Sequence, residues 1–149
     1  MQHATIKAMQ AELDKSIRHQ HDISFEEFHV GLLQERELAF VHEIYEFTNK
    51  LQHFKYWKKT PRDEAKVQEE FSDIIHFGMS LGLAPDYYEF SEWNLVDINH
   101  RMMFECRSVQ SYYSHALGLG HIIGLTGDIV YQAYIEKNKE NYKRLANNY

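Results

Sequence analysis

Two acidic pairs carry most of the chemical information in this 149-residue chain. They are Glu43-Ile-Tyr-Glu46 and Glu70-Phe-Ser-Asp73. Residues three apart on a helix share a face. Each acid directly precedes an apolar residue (Ile44, Phe47, Phe71 and Ile74), so the carboxylates border an apolar stripe. A turn signal, Thr60-Pro61-Arg62-Asp63, separates the pairs; Glu46 stands 14 residues before Thr60 and Asp73 12 after Pro61. At ~1.5 Å per residue both pairs lie roughly 20 Å from the turn, and antiparallel packing brings them level. Four carboxylates converging beside a core repel one another and lose hydration. A bound cation removes that cost, and an all-oxygen ligand set suits Mg²⁺ or Mn²⁺, which keep waters and phosphate oxygens in their shell. The bland reading is four solvated surface acids.

Other residues extend or compete with this picture. His76 continues the Asp73 face by one turn. Asp73-Ile-Ile-His76 and Asp97-Ile-Asn-His100 loosely imitate a di-iron carboxylate bundle, but such sites use Glu in the Glu-x-x-His pair. In the locally basic tail, Lys137, Asn141 and Arg144 fall on one helical face, a geometry that can grip a polyphosphate. Lys55-Tyr56-Trp57-Lys58-Lys59 reads as a helix terminus whose cations complement the dipole, and it could also supply charge and a ring to a nucleotide. Gly118-Leu-Gly120 lacks the spacing of a phosphate loop. No Cys or Ser nucleophile arrangement stands out.

The elements that must position these groups are helices. Ile6, Met9, Leu13 and Ile17 predict a first helix over about 4 to 19. Phe40, Ile44, Phe47, Leu51 and Phe54 form a continuous apolar face, predicting a second helix from the mid-twenties to Trp57. A third carries Val67, Phe71, Ile74, Ile75 and Leu81 and ends near Gly82 to Pro85. Another is expected over about 95 to 117, and a last one from Thr126 or Asp128 to about Ala146. No alternating strand pattern competes. The expectation is an all-α bundle of four to five helices in a single domain spanning 1–149.

Composition agrees with a folded chain: 44% hydrophobic and 26% charged residues, with two prolines. The lone Cys106 excludes an internal disulfide and a Cys-rich zinc site. A net charge of -6 disfavours non-specific nucleic-acid binding. No stretch approaches a membrane span, and the polar opening has no secretory core, so the cytoplasm is the expected compartment.

Taken together, EIYE, FKYWK, EEFSDIIHF and YIEKNKENYKR resemble the dimeric all-α dUTPases of the MazG-type all-α nucleotide pyrophosphatase superfamily. Compact members of that family occur in phages of Gram-positive bacteria. The resemblance runs from about Met9 to Tyr149 and is weakest between about 86 and 125. It implies a homodimer that hydrolyses dUTP, and dUDP as well, to dUMP with Mg²⁺ or Mn²⁺. It implies Glu43, Glu46, Glu70 and Asp73 as metal ligands, with Glu46 or Glu43 activating water. Lys137, Asn141 and Arg144 would bind phosphates, and Tyr149 resembles a substrate-binding tyrosine that follows them. Gln10 would read the uracil edge. Trp57, Lys58 and His76 would line the nucleotide site. Asp14 stands where some members have Asn, and Leu145 where a Gln is frequent. Two other readings fit the residues: a sibling pyrophosphatase preferring dCTP or another non-standard nucleotide, and a non-catalytic helical dimer presenting Tyr87, Tyr88, Phe90 and Trp93 to a protein.

Overall fold

The computed structural model describes residues 2–91 and 94–148. Six α-helices follow one another: α1 (Gln2–Gln20), α2 (Leu33–Leu51), α3 (Glu64–Ser80), α4 (Leu95–Glu105), α5 (Val109–Ile122) and α6 (Gly127–Ala146). A short π-helical turn, Glu27–Gly31, leads into α2. No strand occurs among the described residues, so the all-α expectation holds.

Three boundaries differ from the sequence expectation. The helix expected from the mid-twenties is interrupted at Leu32, whose φ of -99° and ψ of 17° are not helical, so the π-helical turn stands apart and α2 begins at Leu33. The apolar stripe of α2 is buried at Phe40, Ile44, Phe47 and Leu51, but Phe54 is 42% exposed. Gln52 adopts a left-handed conformation with φ of 60° and ends the helix there. The basic segment that follows therefore leaves the bundle. The stretch expected as one helix over about 95 to 117 divides into α4 and α5. Cys106 is extended, and the Ser108 hydroxyl accepts the Ser111 N–H to start a new helix.

Caps set the ends that matter for the site. The Asp63 carboxylate accepts the N–H groups of Ala65 and Lys66 at the start of α3. At the other end, Gly82 takes φ of 71° and Leu83 N–H reaches back to Gly78 C=O, closing a Schellman turn. Gly124 ends α5 in the same way at φ of 87°.

α2 and α3 pack antiparallel. Arg36 meets Ser80, Phe47 meets Phe71, and between them Glu43 feels the charge of Asp73. One number falls as the other rises. The core between them joins Phe40, Ile44, Phe47, Val67, Phe71 and Ile74 to Tyr113 and Leu119 of α5 and Tyr134 of α6. The Ser72 hydroxyl donates to Ala133 C=O, tying α3 to α6. α1 packs on both α3 and α6. Three helices thus wall one side of α3, the side that carries Asp73 and His76. No described helix is long and apolar enough to cross a membrane.

Candidate active site

A cavity of about 500 Å³ opens between α1, α2, α3 and α6. Its lining is chemically mixed. Glu43 of α2 and Asp73 of α3 line it together with Lys137, Asn141 and Arg144 of α6. Gln10, Asp14, Arg36, His76 and Ser80 add polar groups, while Leu13, Ile17, Phe28, Phe77 and Leu145 form an apolar lining. Such a mix suits a ligand with an apolar or aromatic body and a charged end.

Three carboxylates converge at Glu43. Glu43, Glu46 and Glu70 each offer an oxygen within 4.8 Å of the others. Like charges so close must share protons or a cation. Burial pushes the Glu43 carboxyl up to about 7, reinforced by Asp73, Glu46 and Glu70. Glu70 is raised by burial and by the adjacent Glu46. The donor set is all oxygen and carries excess negative charge, which fits a hard divalent cation.

Asp73 is not in this group of three. Its Oδ2 is 3.1 Å from the Lys137 ammonium, which also approaches Glu69 at 3.6 Å and Glu140 at 3.8 Å. Burial still lifts Asp73 to about 6, outweighing the ammonium beside it. Burial alone would lower the Lys137 pKa, but Asp73, Glu140 and Glu69 together outweigh it and hold the ammonium above its ordinary value. Arg144 pairs with Glu140 one turn further along α6. Lys137 thus neutralises a carboxylate that the cavity would otherwise leave bare.

At the other end lies a buried polar chain. Gln10 Nε2 donates to Asp14 Oδ1 at 2.8 Å. Gln10 Oε1 accepts the Tyr134 hydroxyl at 2.9 Å and pairs with His76 Nδ1 at 2.7 Å. Because an amide oxygen can only accept, His76 Nδ1 carries the hydrogen. Burial lowers the His76 pKa to about 3, so the ring is neutral across the physiological range. The Asp14 pKa is raised by burial, opposed by hydrogen bonds from Gln10 and Ser80 and by the charge of Arg36. The Arg36 guanidinium donates to Ser80 C=O at 2.6 Å and Ser80 Oγ at 2.9 Å. It also caps the Phe28 ring at 4.1 Å.

The sequence-predicted residues fall into groups. Glu43, Asp73, Gln10, Asp14, His76, Lys137, Asn141 and Arg144 line one cavity, and Glu46 and Glu70 adjoin it through Glu43. Trp57 and Lys58 do not line it. They follow the early end of α2, and Trp57 is 62% exposed. Tyr149 and Trp93 lie outside the described residues. Asp97 and His100 are exposed on α4, and no cluster of potential metal ligands forms around them among the described residues.

Arg36, Glu69, Ser80 and Tyr134 were not singled out in the sequence. Two carried a signal. Arg36 lies seven residues before Glu43 and so shares its face. Tyr134 extends the stripe of Lys137, Asn141 and Arg144 by one turn towards the N-terminus of α6. Glu69 and Ser80 had none, because their roles depend on side chains of other helices.

Fold and site together define an all-helical protein with a charged cleft between carboxylates and cations. A family model described as dUTPase matches residues 3–107 and 94–149. The chain belongs to this family and is an enzyme of dUTP hydrolysis, a nucleoside triphosphate pyrophosphohydrolase. No curated protein matches it.

Proposed function

We propose that the protein hydrolyses dUTP to dUMP and pyrophosphate with Mg²⁺, Mn²⁺ being able to substitute, and that 1–149 works as one domain. The observation that carries this reading is the convergence of Glu43, Glu46 and Glu70 within 4.8 Å beside a cavity that Lys137 and Arg144 also line. Glu43, Glu46 and Glu70 would hold a divalent ion, with Asp73 joining them once Lys137 moves away. The ion supplies charge neutralisation of the phosphates and a more acidic water.

The chain's own residues supply the rest. Lys137 and Arg144 exchange their carboxylate partners for phosphate oxygens, and Asn141 donates an amide N–H to the same chain of phosphates. Glu46, the exposed member of the acidic three, orients water and accepts its proton. Water adds its oxygen to phosphorus, the P–O bond to the pyrophosphate side breaks, and the proton ends on carboxylate. Phe28, Phe77 and Leu13 offer an apolar wall to base and sugar. Gln10 and Asp14 meet the polar edge of the base. dUDP, with one phosphate fewer, can engage the same groups. A homodimer would give the exposed rings of Tyr56 and Trp57 a surface to cover them.

The test is pyrophosphate release from each dNTP and NTP, with and without Mg²⁺. dUTP should be the fastest substrate and EDTA should abolish turnover. Glu46→Gln should lower kcat at least about a hundredfold; normal turnover at saturating Mg²⁺ would sink the assignment.

A further inference from the structure

We propose that Tyr134 and His76 are positioning residues that lock the Gln10 amide, so that Gln10 can only donate to a bound base, and that this lock selects a pyrimidine 4-carbonyl over a 4-amine. The inference rests on the reading of the cavity as a nucleotide site.

A primary amide has two donor and two acceptor positions. In Gln10 three of the four are spent. Oε1 receives both the Tyr134 hydroxyl and His76 Nδ1, and one Nε2 hydrogen goes to Asp14. What remains is a single N–H. The partners come from three helices: Asp14 from α1, His76 from α3 and Tyr134 from α6. They also hold one another. The His76 and Tyr134 rings stack at 4.0 Å and 13°. Gln10, His76 and Tyr134 are all at least 95% buried, being 5%, 4% and 0% exposed, so water cannot replace a lost partner cheaply.

Turning the amide over is unfavourable on both sides. Oε1 would face the Asp14 carboxylate, oxygen against oxygen. The NH₂ group would meet the Tyr134 hydroxyl oxygen and His76 Nδ1, which can accept only if the tyrosine O–H gives up Gln10 as its acceptor and the imidazole proton moves to Nε2, a buried atom with no hydrogen-bond partner among the described residues. Asp14 is held as an acceptor at Oδ1 by the Gln10 amide, 2.8 Å away, and the Ser80 hydroxyl and the charge of Arg36 oppose the burial that raises its pKa. The cavity therefore shows a ligand one N–H donor beside a carboxylate acceptor.

Uracil presents the complementary edge. Its 4-carbonyl accepts from Gln10, and its N3–H donates to Asp14. Cytosine in the same pose opposes an amine to the Gln10 N–H and a lone pair to the carboxylate. Both contacts then fail together. Discrimination of this kind is strong because the buried groups are left unpaired.

Tyr134→Phe removes one donor and keeps the stacked ring. One Oε1 lone pair becomes available, and Gln10 can then accept from an amine. Calorimetric binding of dUMP and dCMP reads the effect without any turnover. The preference for dUMP should fall about tenfold. In dUTP hydrolysis the loss should appear in KM, not kcat, whereas a general loosening of the fold would lower the melting temperature and both parameters. Asp14→Asn serves as a second variant if the first does not fold, because an amide at 14 can donate to a turned-over Gln10; it too should narrow the preference. The proposal is overturned if folded Tyr134→Phe and Asp14→Asn proteins keep the parent ratio of dUMP to dCMP affinity. It is also overturned if the parent binds neither monophosphate. A parent that binds dUMP selectively but releases no pyrophosphate from dUTP would instead defeat the proposed reaction and leave the lock standing.

Discussion

The Lys137 ammonium sits 3.1 Å from Asp73 Oδ2, with Lys137 only 9% and Asp73 15% exposed at their side chains. A protein cation thus sits against a carboxylate where a divalent ion and a polyphosphate are proposed to meet. Lys137→Met should cost about 1–3 kcal/mol in EDTA, measured by urea unfolding, because a buried carboxylate loses its partner. Mn²⁺ should bind the variant several-fold more tightly, since the competing charge is gone. Pyrophosphate should bind it about tenfold more weakly, since a phosphate donor is gone too. Isothermal titration distinguishes the two effects. Looser Mn²⁺ binding would contradict the exchange of Lys137 for metal.

Glu43 links the site to stability. Its carboxyl is raised from 4.5 to about 7, so the folded protein holds this proton more tightly than the unfolded chain does. That contribution is present below pH 4.5 and is lost as pH rises to about 7. Glu43→Gln should therefore match the parent melting temperature at pH 5 and exceed it at pH 8 in EDTA, by about 2–4 °C. Saturating Mg²⁺ should reverse the order at pH 8, because only the parent keeps all its ligands. Equal melting temperatures at pH 8 in EDTA would show that the acidic cluster is not strained.

Metal affinity should carry the same proton. Binding requires ionised carboxylates, and Glu43 at about 7 and Asp73 at about 6 are the ones that must lose protons. Below pH 7 the Mn²⁺ affinity should fall about tenfold per pH unit for each proton displaced. Calorimetry in buffers of different ionisation enthalpy counts those protons directly. A flat affinity from pH 6 to 8 would place the ion elsewhere.

Packing behind the site is equally specific. A Cβ at Gly78 would lie 2.5 Å from the Tyr113 ring, and Tyr113 is wholly buried. Gly78→Ala should destabilise by about 1–3 kcal/mol, seen as a lower urea midpoint with an unchanged slope. Asp73 and His76 stand within a turn or two of Gly78 on α3, so kcat should fall as well if the helix shifts.

The helices, the acidic pairs and the basic stripe of α6 were legible in the chain because each depends on local spacing. Periodicity of apolar residues determines which face of a helix is buried, and Glu43, Glu46, Glu70 and Asp73 inherit their place from the stripes beside them. The end of α2 was not legible. The pattern continued to Phe54, but Gln52 turned left-handed, and periodicity carries no information about a single backbone dihedral. The break between α4 and α5 escaped for the same reason. Trp57 and Lys58 were carried away from the cavity by that early end.

What only the tertiary structure decided is who meets whom. Asp73 could have joined the three glutamates; instead it pairs with Lys137, a residue 64 positions later. Gln10, His76 and Tyr134 share no sequence pattern, yet three helices bring them within hydrogen-bonding distance. Spacing along one helix dictates faces. Contacts between helices depend on crossing angle, register and side-chain volume summed over the whole core, and those are settled only when every helix is packed.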